Sequence, residues 1–408
     1  MPPDRRRIMG INDAAKRQIM GTPRNRAAVI WANFGLYHFA RANAMSSACD
    51  LLAIELASHQ RMYGWQISNS LPGAQMTTLT TGAFEDQSKI KMSFRLWRVL
   101  QRFQPAYVLV PGYADLPALT AALWSRLNRR TAVMMSESNA EDYPRHKFSE
   151  TVKRALVRTV FDAALVGGCR SGKYAALLGI PTKRIYYGYD VVDNDWFHQQ
   201  VTKVRAQAEK SLQSREYFLF VGRLAPEKNI FGLLEGFRHY VRGGGNWDLV
   251  IVGTGPQGDR VVGTIKEQGL DGRVHCVGFK NGEELIPYYA FAGTFVLPST
   301  REPWGLVVNE AMACGLPVIA STSAGASEIV RNGENGLLLQ NPRDVKELAQ
   351  LMRKLCVSEN MIRTLGESAE RTAANESWDS HAERMQAHFE EILSRKNVHL
   401  RPAQHGIA

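Results

Sequence analysis

The chain has 408 residues, too many for one ordinary core, so two domains are expected. It is 45% apolar and 22% charged, an ordinary globular composition, and no apolar run is long enough to cross a bilayer. The formal net charge of +11 brings nucleic acid, an anionic membrane surface or a phosphorylated substrate into view, beside a merely solvated basic surface. Five scattered cysteines without C-x-x-C spacing argue against a zinc site or disulfide framework and fit a reducing cytosol.

Residues 1–25 read as a basic arm without the apolar stretch of a secretory signal. Short Val-, Ile- and Leu-rich runs then alternate with helix-length segments. In the first half they are AAVIWANF, AYVLVPG, TAVMMSES, AALVGG and RIYYGYD. In the second half they are EYFLFVGRL, DLVIVGTG, VHCVGF, GTFVLPS and PVIAS. Such runs do not alternate apolar with polar, as expected of parallel strands covered on both faces. The pattern predicts two doubly wound α/β domains, at 26–200 and 201–375. Trp196 to Arg215 is polar, without a strand, and reads as their linker. An amphipathic helix follows at 376–396, then a tail at 397–408.

Two motifs mislead. Gly167 to Lys173 has G-x-x-x-x-G-K spacing, but Tyr174 stands where a P-loop needs a hydroxyl for magnesium. It reads as a glycine-rich turn into a helix. Asp193 and Asp195 form a D-x-D pair at the linker start, where such residues make turns, so no metal is assigned.

Four stretches of the second half converge on one sheet edge. FVGRLAPEKN places Arg223 and Lys228 beyond a strand that ends at Gly222, and two cations there suit a diphosphate. VGTGP supplies Gly253 and Gly255 for close approach of backbone to a ligand. CVGFKN brings Phe279 to the same edge. In STREPWGLVVNEAMACGLPVIAS, Pro303 and Gly315 suit the two ends of a helix. The N–H groups of Gly305, Leu306 and Val307 would then form an anion site. Glu302 and Glu310 flank that site, placed to accept hydrogen bonds from hydroxyls on either side of it. A nucleotide-sugar has that layout: ribose hydroxyls, diphosphate, sugar hydroxyls.

With these residues in place, the chain resembles the retaining glycosyltransferases of family 4, which have the GT-B fold. The Glu-x7-Glu motif matches Glu302 and Glu310, VGRL…EK matches Val221 to Lys228, and EAMACGLPVIA matches Glu310 to Ala320. The resemblance is strong over 216–378 and extends to the first half only in layout. It implies two Rossmann-like domains facing each other across a cleft, the first binding acceptor and the second nucleotide-sugar. It implies that Arg223 and Lys228 hold the leaving diphosphate, that Glu310 binds ribose and Glu302 the donor sugar, and that the 376–396 helix crosses back to the first domain. The donor-binding set it implies includes Gly35 and Gly222 beside Gly253, Gly255, Phe279, Gly305, Leu306, Val307 and Glu310. The acceptor side departs from the family: WANFGLYH has one glycine, Gly35, where a Gly-Gly loop is usual, and SES replaces a customary histidine. His38, Tyr113 and Glu137 are the acceptor-side candidates.

The expected function is a metal-independent hexosyltransferase of polysaccharide biosynthesis that uses no cofactor. Its donor is a nucleotide-sugar, with a UDP-sugar favoured, and its acceptor a glycan, lipid-linked or small molecule. A glycosyl phosphorylase on the same fold and a nucleic-acid-binding protein are the alternatives; no nucleic-acid partner is expected. The expected location is cytoplasmic, with peripheral contact at an anionic membrane face. For that contact, KFSETVKRALVRTVF sets Phe148, Val152, Ala155, Leu156 and Thr159 on one helical face among four basic residues. The competing expectation is a crossover helix whose apolar face covers the sheet.

Overall fold

A computed structural model of the chain describes residues 25–61, 71, 73–207 and 216–375. The basic arm, the 376–396 helix and the tail lie outside them.

The described strands form two parallel sheets. The first holds β1 (Arg26–Trp31), β2 (Asp50–Glu55), β3 (Gln75–Thr78), β4 (Tyr107–Pro111), β5 (Thr131–Ser136), β6 (Ala163–Val166) and β7 (Ile185–Tyr187), in the order β3-β2-β1-β4-β5-β6-β7. The second holds β8 (Tyr217–Val221), β9 (Asp248–Val252), β10 (Val274–Cys276), β11 (Thr294–Leu297), β12 (Val318–Ser321) and β13 (Gly336–Leu339), in the order β10-β9-β8-β11-β12-β13. Strand order reverses between β1 and β4 and again between β8 and β11. These switch points are where an open parallel sheet leaves a crevice at its carboxyl edge. The apolar runs read from the sequence supply ten of the strands; β2, β3 and β13 are additional.

One face of the first sheet is covered by the Leu36–Ala48 helix, whose Phe39, Ala42 and Met45 pack on Val29 and Leu51. Four helices cover the other face: Lys89–Phe103, Leu116–Leu127, Lys147–Val160 and Cys169–Leu177. The Lys147–Val160 helix buries Val157 and Val160 there, while Phe148 and Val152 point outward. The segment read as a linker is helical from Asn194 to Gln207 and packs on the second domain. Phe197 and Val201 are buried in that core, and Arg205 donates to the carbonyls of Ala290 at 2.8 Å and Cys314 at 3.2 Å. Asp193 accepts from the Trp196 N–H at 2.9 Å, so its role is a helix-start turn.

The glycine-rich turn after β6 joins the domains. The first N–H groups of the Cys169–Leu177 helix have no intrahelical partner and favour an anion. Here the anion is Glu328 of the second domain: its carboxylate accepts from Cys169 N–H at 2.6 Å and Arg170 N–H at 3.1 Å. Gly168 must be a glycine because a Cβ would lie 2.5 Å from the Trp304 ring and 2.6 Å from that carboxylate. Charge-assisted bonds of this kind contribute about 1.5–3 kcal/mol each. Glu328→Ala should therefore speed hydrogen exchange at the Cys169 and Arg170 amides at least about tenfold. Unchanged protection would mean that the carboxylate does not hold this joint.

Candidate functional site

The loops after β8 and β11, on either side of the second switch point, carry the charged residues singled out from the sequence. Arg223 follows β8 and is exposed, with no ion pair among the described residues. Lys228 lies in the short helical turn Pro226–Lys228 and is largely buried. It is ion-paired with Glu302, which also accepts a long 3.4 Å hydrogen bond from Ser299. Both of these contacts use Oε2 of Glu302, and its Oε1 makes no hydrogen bond among the described residues. The resemblance implies Lys228 on the diphosphate and Glu302 on the sugar; in the structure the two hold each other.

The helix expected from Pro303 begins later, at Leu306, and runs to Ala313. Gly305 is its N-cap, with φ +103, a conformation that favours glycine, and it turns the chain sharply after Trp304. The N-terminal end of this helix, at the buried Gly305 and the half-buried Leu306 and Val307, lies beside Glu302, since a Cβ on Gly305 would lie 3.1 Å from the Glu302 side chain. Gly315, with φ +73, ends the helix as expected. Gly253 and Gly255 are required by a different close approach from the one expected. A Cβ on Gly253 would lie 1.9 Å from the Gly222 carbonyl oxygen, and one on Gly255 would lie 2.5 Å from that of Leu224. Their smallness packs the β9 loop against the β8 loop, which carries Arg223. Phe279 is exposed beyond β10 at the same edge.

Glu310 is 1% exposed. Its carboxylate accepts from the Tyr289 hydroxyl at 2.7 Å and, across the domain boundary, from the Tyr37 hydroxyl. Burial pushes its pKa up to about 7, and the two tyrosines pull in the other direction. Tyr37 is delivered by the turn after β1. Glu55 at the end of β2 fixes that turn by accepting from the Asn33 side chain at 3.1 Å and the Phe34 N–H at 3.0 Å. Gly35 caps the following helix, and its N–H donates to His38 Nδ1 at 3.0 Å. His38 is thereby occupied within the turn, and burial followed by the nearby Arg41 lowers its pKa to about 3. Tyr113, just after β4, neighbours Tyr174.

Glu137, at the end of β5, belongs to a cluster that the sequence reading did not assemble. Arg41, one turn beyond Tyr37, pairs with Asp190 at 3.1 Å, with side chains 3% and 0% exposed. The guanidinium also lies 4.3 Å over the Tyr189 ring. Asp190 Oδ2 meets no donor among the described residues. Burial, and then the neighbouring Glu137 carboxyl, raise Asp190 well above the usual carboxylate range, against the pull of Arg41. Tyr37, Arg41, Asp190 and Glu137 so form a polar wall on the first domain, beginning at Glu310. Of these residues the sequence points to Glu137 alone; Asp190, the aspartate of RIYYGYD, carries no signal of its partners.

The raised pKa of Glu310 fixes the sign of a pH effect. The neutral acid is favoured by the fold, so its contribution to stability is full below about 4.5 and is lost as pH rises through about 7. The loss amounts to about 3 kcal/mol. Glu310→Gln should flatten the fall in denaturation free energy between about pH 5 and 7.5. An unaltered slope would show that this carboxyl titrates normally.

Comparison with known proteins agrees with this geometry. Residues 203–372 match the family model described as glycosyl transferases group 1. An exopolysaccharide phosphotransferase of Streptomyces coelicolor is 32% identical over 184 residues, which are 45% of this chain and 19% of the relative. A D-inositol 3-phosphate glycosyltransferase of Rhodococcus jostii is 32% identical over 189 residues, 44% of this chain and 42% of the relative. The chain thus spans less than half the length of these curated relatives. The Anabaena protein HepE, solved with UDP and glucose, superposes with a TM-score of 0.68 at 18% identity, covering 91% of this chain and 99% of that one. The chain therefore has the GT-B fold, with the glycosyl transferases group 1 signature in its second domain.

Proposed function

We propose that the protein is a retaining glycosyltransferase of family 4 that transfers a hexose from a nucleotide-sugar, a UDP-sugar first, to a hydroxyl of a glycan, lipid-linked or small-molecule acceptor in polysaccharide biosynthesis. The observation that carries the reading is the meeting of the Lys228–Glu302 pair with the Gly305–Val307 helix end at the β8/β11 switch point, with Arg223 exposed on the loop after β8 and Glu310 further along the same helix. The group 1 match over this domain, and the UDP and glucose seen with HepE, support it.

In this reading the bond from the sugar's anomeric carbon to the diphosphate breaks, and the acceptor oxygen bonds that carbon on the same face. The acceptor proton passes to the departing phosphate oxygen, giving a glycoside and a nucleoside diphosphate. Negative charge grows on the leaving oxygen, where Arg223, Lys228 and the helix end stabilise it. Glu302 positions Lys228 and offers Oε1 to a sugar hydroxyl. Glu310 takes the ribose hydroxyls when Tyr37 yields its place. Glu137 receives the acceptor, with the buried Arg41–Asp190 pair beside it. With two cations and a helix terminus already opposing the diphosphate, no metal is needed.

A unit charge pair at about 4 Å contributes roughly 4 kcal/mol at an effective dielectric of about 20. Arg223→Ala and Lys228→Ala should each lower turnover at least about a hundredfold; melting temperature should change little for the exposed Arg223 and fall for Lys228, whose loss leaves Glu302 unpaired. A screen of UDP- and GDP-sugars against simple glycoside acceptors finds the donor, and calorimetry with UDP tests the site directly. Binding of no nucleoside diphosphate, or near-normal turnover in either variant, would refute the assignment. Transfer should also persist in excess chelator; full loss, reversed by a divalent ion, would show that the diphosphate needs a metal partner.

A further inference from the structure

We infer that the outer face of the four-helix layer on the first domain is a docking surface for an anionic lipid bilayer. The apolar residues of the Lys147–Val160 helix do not all cover the sheet: Phe148 is 83% exposed and Val152 52%. The same holds along the layer, with Ile90 at 74%, Phe94 at 64% and Leu127 at 65%. By contrast, the large exposed apolar residues described in the second domain are Val262, Phe279 and Val357. Charge runs with the apolar residues. The four helices carry twelve Lys or Arg and one acid, Glu150. That acid is already engaged by Lys153 at 2.8 Å and Arg145 at 3.6 Å. The Lys89–Phe103 helix holds five basic residues and no acid, and its Lys91, Arg98 and Arg102 are exposed beside Phe94. Helices of the second domain mix both signs.

Basic side chains set among large apolar ones match the boundary between anionic headgroups and acyl chains, where apolar residues sink about 5–10 Å. A nucleic acid would meet the charges but give the phenylalanines no apolar phase to enter. No described helix is long and apolar enough to cross a membrane, so the contact is peripheral. Ile90, Leu116 and Phe148 sit in the first turns of their helices. In a β-then-helix crossover those turns lie at the carboxyl edge of the sheet, where the cleft opens. Docked this way, the protein would present the Glu137 wall to an acceptor anchored in the bilayer; that last step rests on the transferase reading, and the surface itself does not.

The test is sedimentation of the full chain with vesicles of phosphatidylcholine alone and of equimolar phosphatidylcholine and phosphatidylglycerol, without donor or acceptor. The parent should bind the mixed vesicles and lose them at high salt. Phe94→Asp with Phe148→Asp should weaken that binding about a hundredfold. Lys91→Glu, Arg98→Glu and Arg102→Glu together should reduce it to the level seen with neutral vesicles. All these positions are exposed, and circular dichroism melting checks that each variant folds. A Phe double variant that binds like the parent overturns the bilayer and leaves a polyanion as the partner. A charge-reversed variant that binds like the parent overturns the surface altogether. Because no sugar transfer is measured, failure here and failure of the transferase reading are separate results.

Discussion

A carboxylate in a dry interior must find donors or give up its charge, and Glu310 meets that demand by drawing on both domains. Tyr289 comes from its own domain and Tyr37 from the other. The consequence is mechanical as well as electrostatic. The turn after β1 must sit where its hydroxyl reaches the second domain, so Glu55, Asn33 and Gly35 are arranged to hold it there. The same helix that places Tyr37 places Arg41 one turn on, and Arg41 fixes the buried Asp190 beside Glu137. One buried acid thus sets the register of the whole facing wall.

Helix N-termini are used in two opposite ways. In the first domain, the end at Gly168 to Arg170 is filled by Glu328 and serves as a joint. In the second, the end at Gly305 to Val307 has Glu302 for its nearest described carboxylate, and Lys228 neutralises that group. The physics of the two ends is identical. What separates a structural anion site from one open to a ligand is whether a neighbouring loop's carboxylate accepts from the helix N–H groups themselves, as Glu328 does, or is held by a lysine, as Glu302 is.

The glycines divide along a similar line. Gly253 and Gly255 look like ligand glycines in the sequence, yet the backbone they admit is that of Gly222 to Leu224. They act on the site at one remove, by setting the loop that carries Arg223. Gly305 acts directly, because its left-handed backbone lets the helix begin facing the cations.

The chain order of apolar runs and the Glu-x7-Glu and VGRL…EK spacings determined most of the architecture, because parallel strands buried on both faces must be written as continuous apolar segments. Where that constraint relaxes, the sequence is silent. β3 is an exposed edge strand, QMTT, with no apolar signature. β2 follows the Leu36–Ala48 helix after a single residue, without a breaker to announce it. The polar Asn194–Gln207 segment reads as a linker because only Phe197 and Val201 mark its buried stripe. The donor-side residues were legible since they lie within two short motifs. The pairing of Lys228 with Glu302, Tyr37 with Glu310, Arg41 with Asp190 and Glu328 with the Gly168 turn was decided only by tertiary structure. Each joins positions more than seventy residues apart, and burial, which no local spacing records, is what makes those polar contacts obligatory.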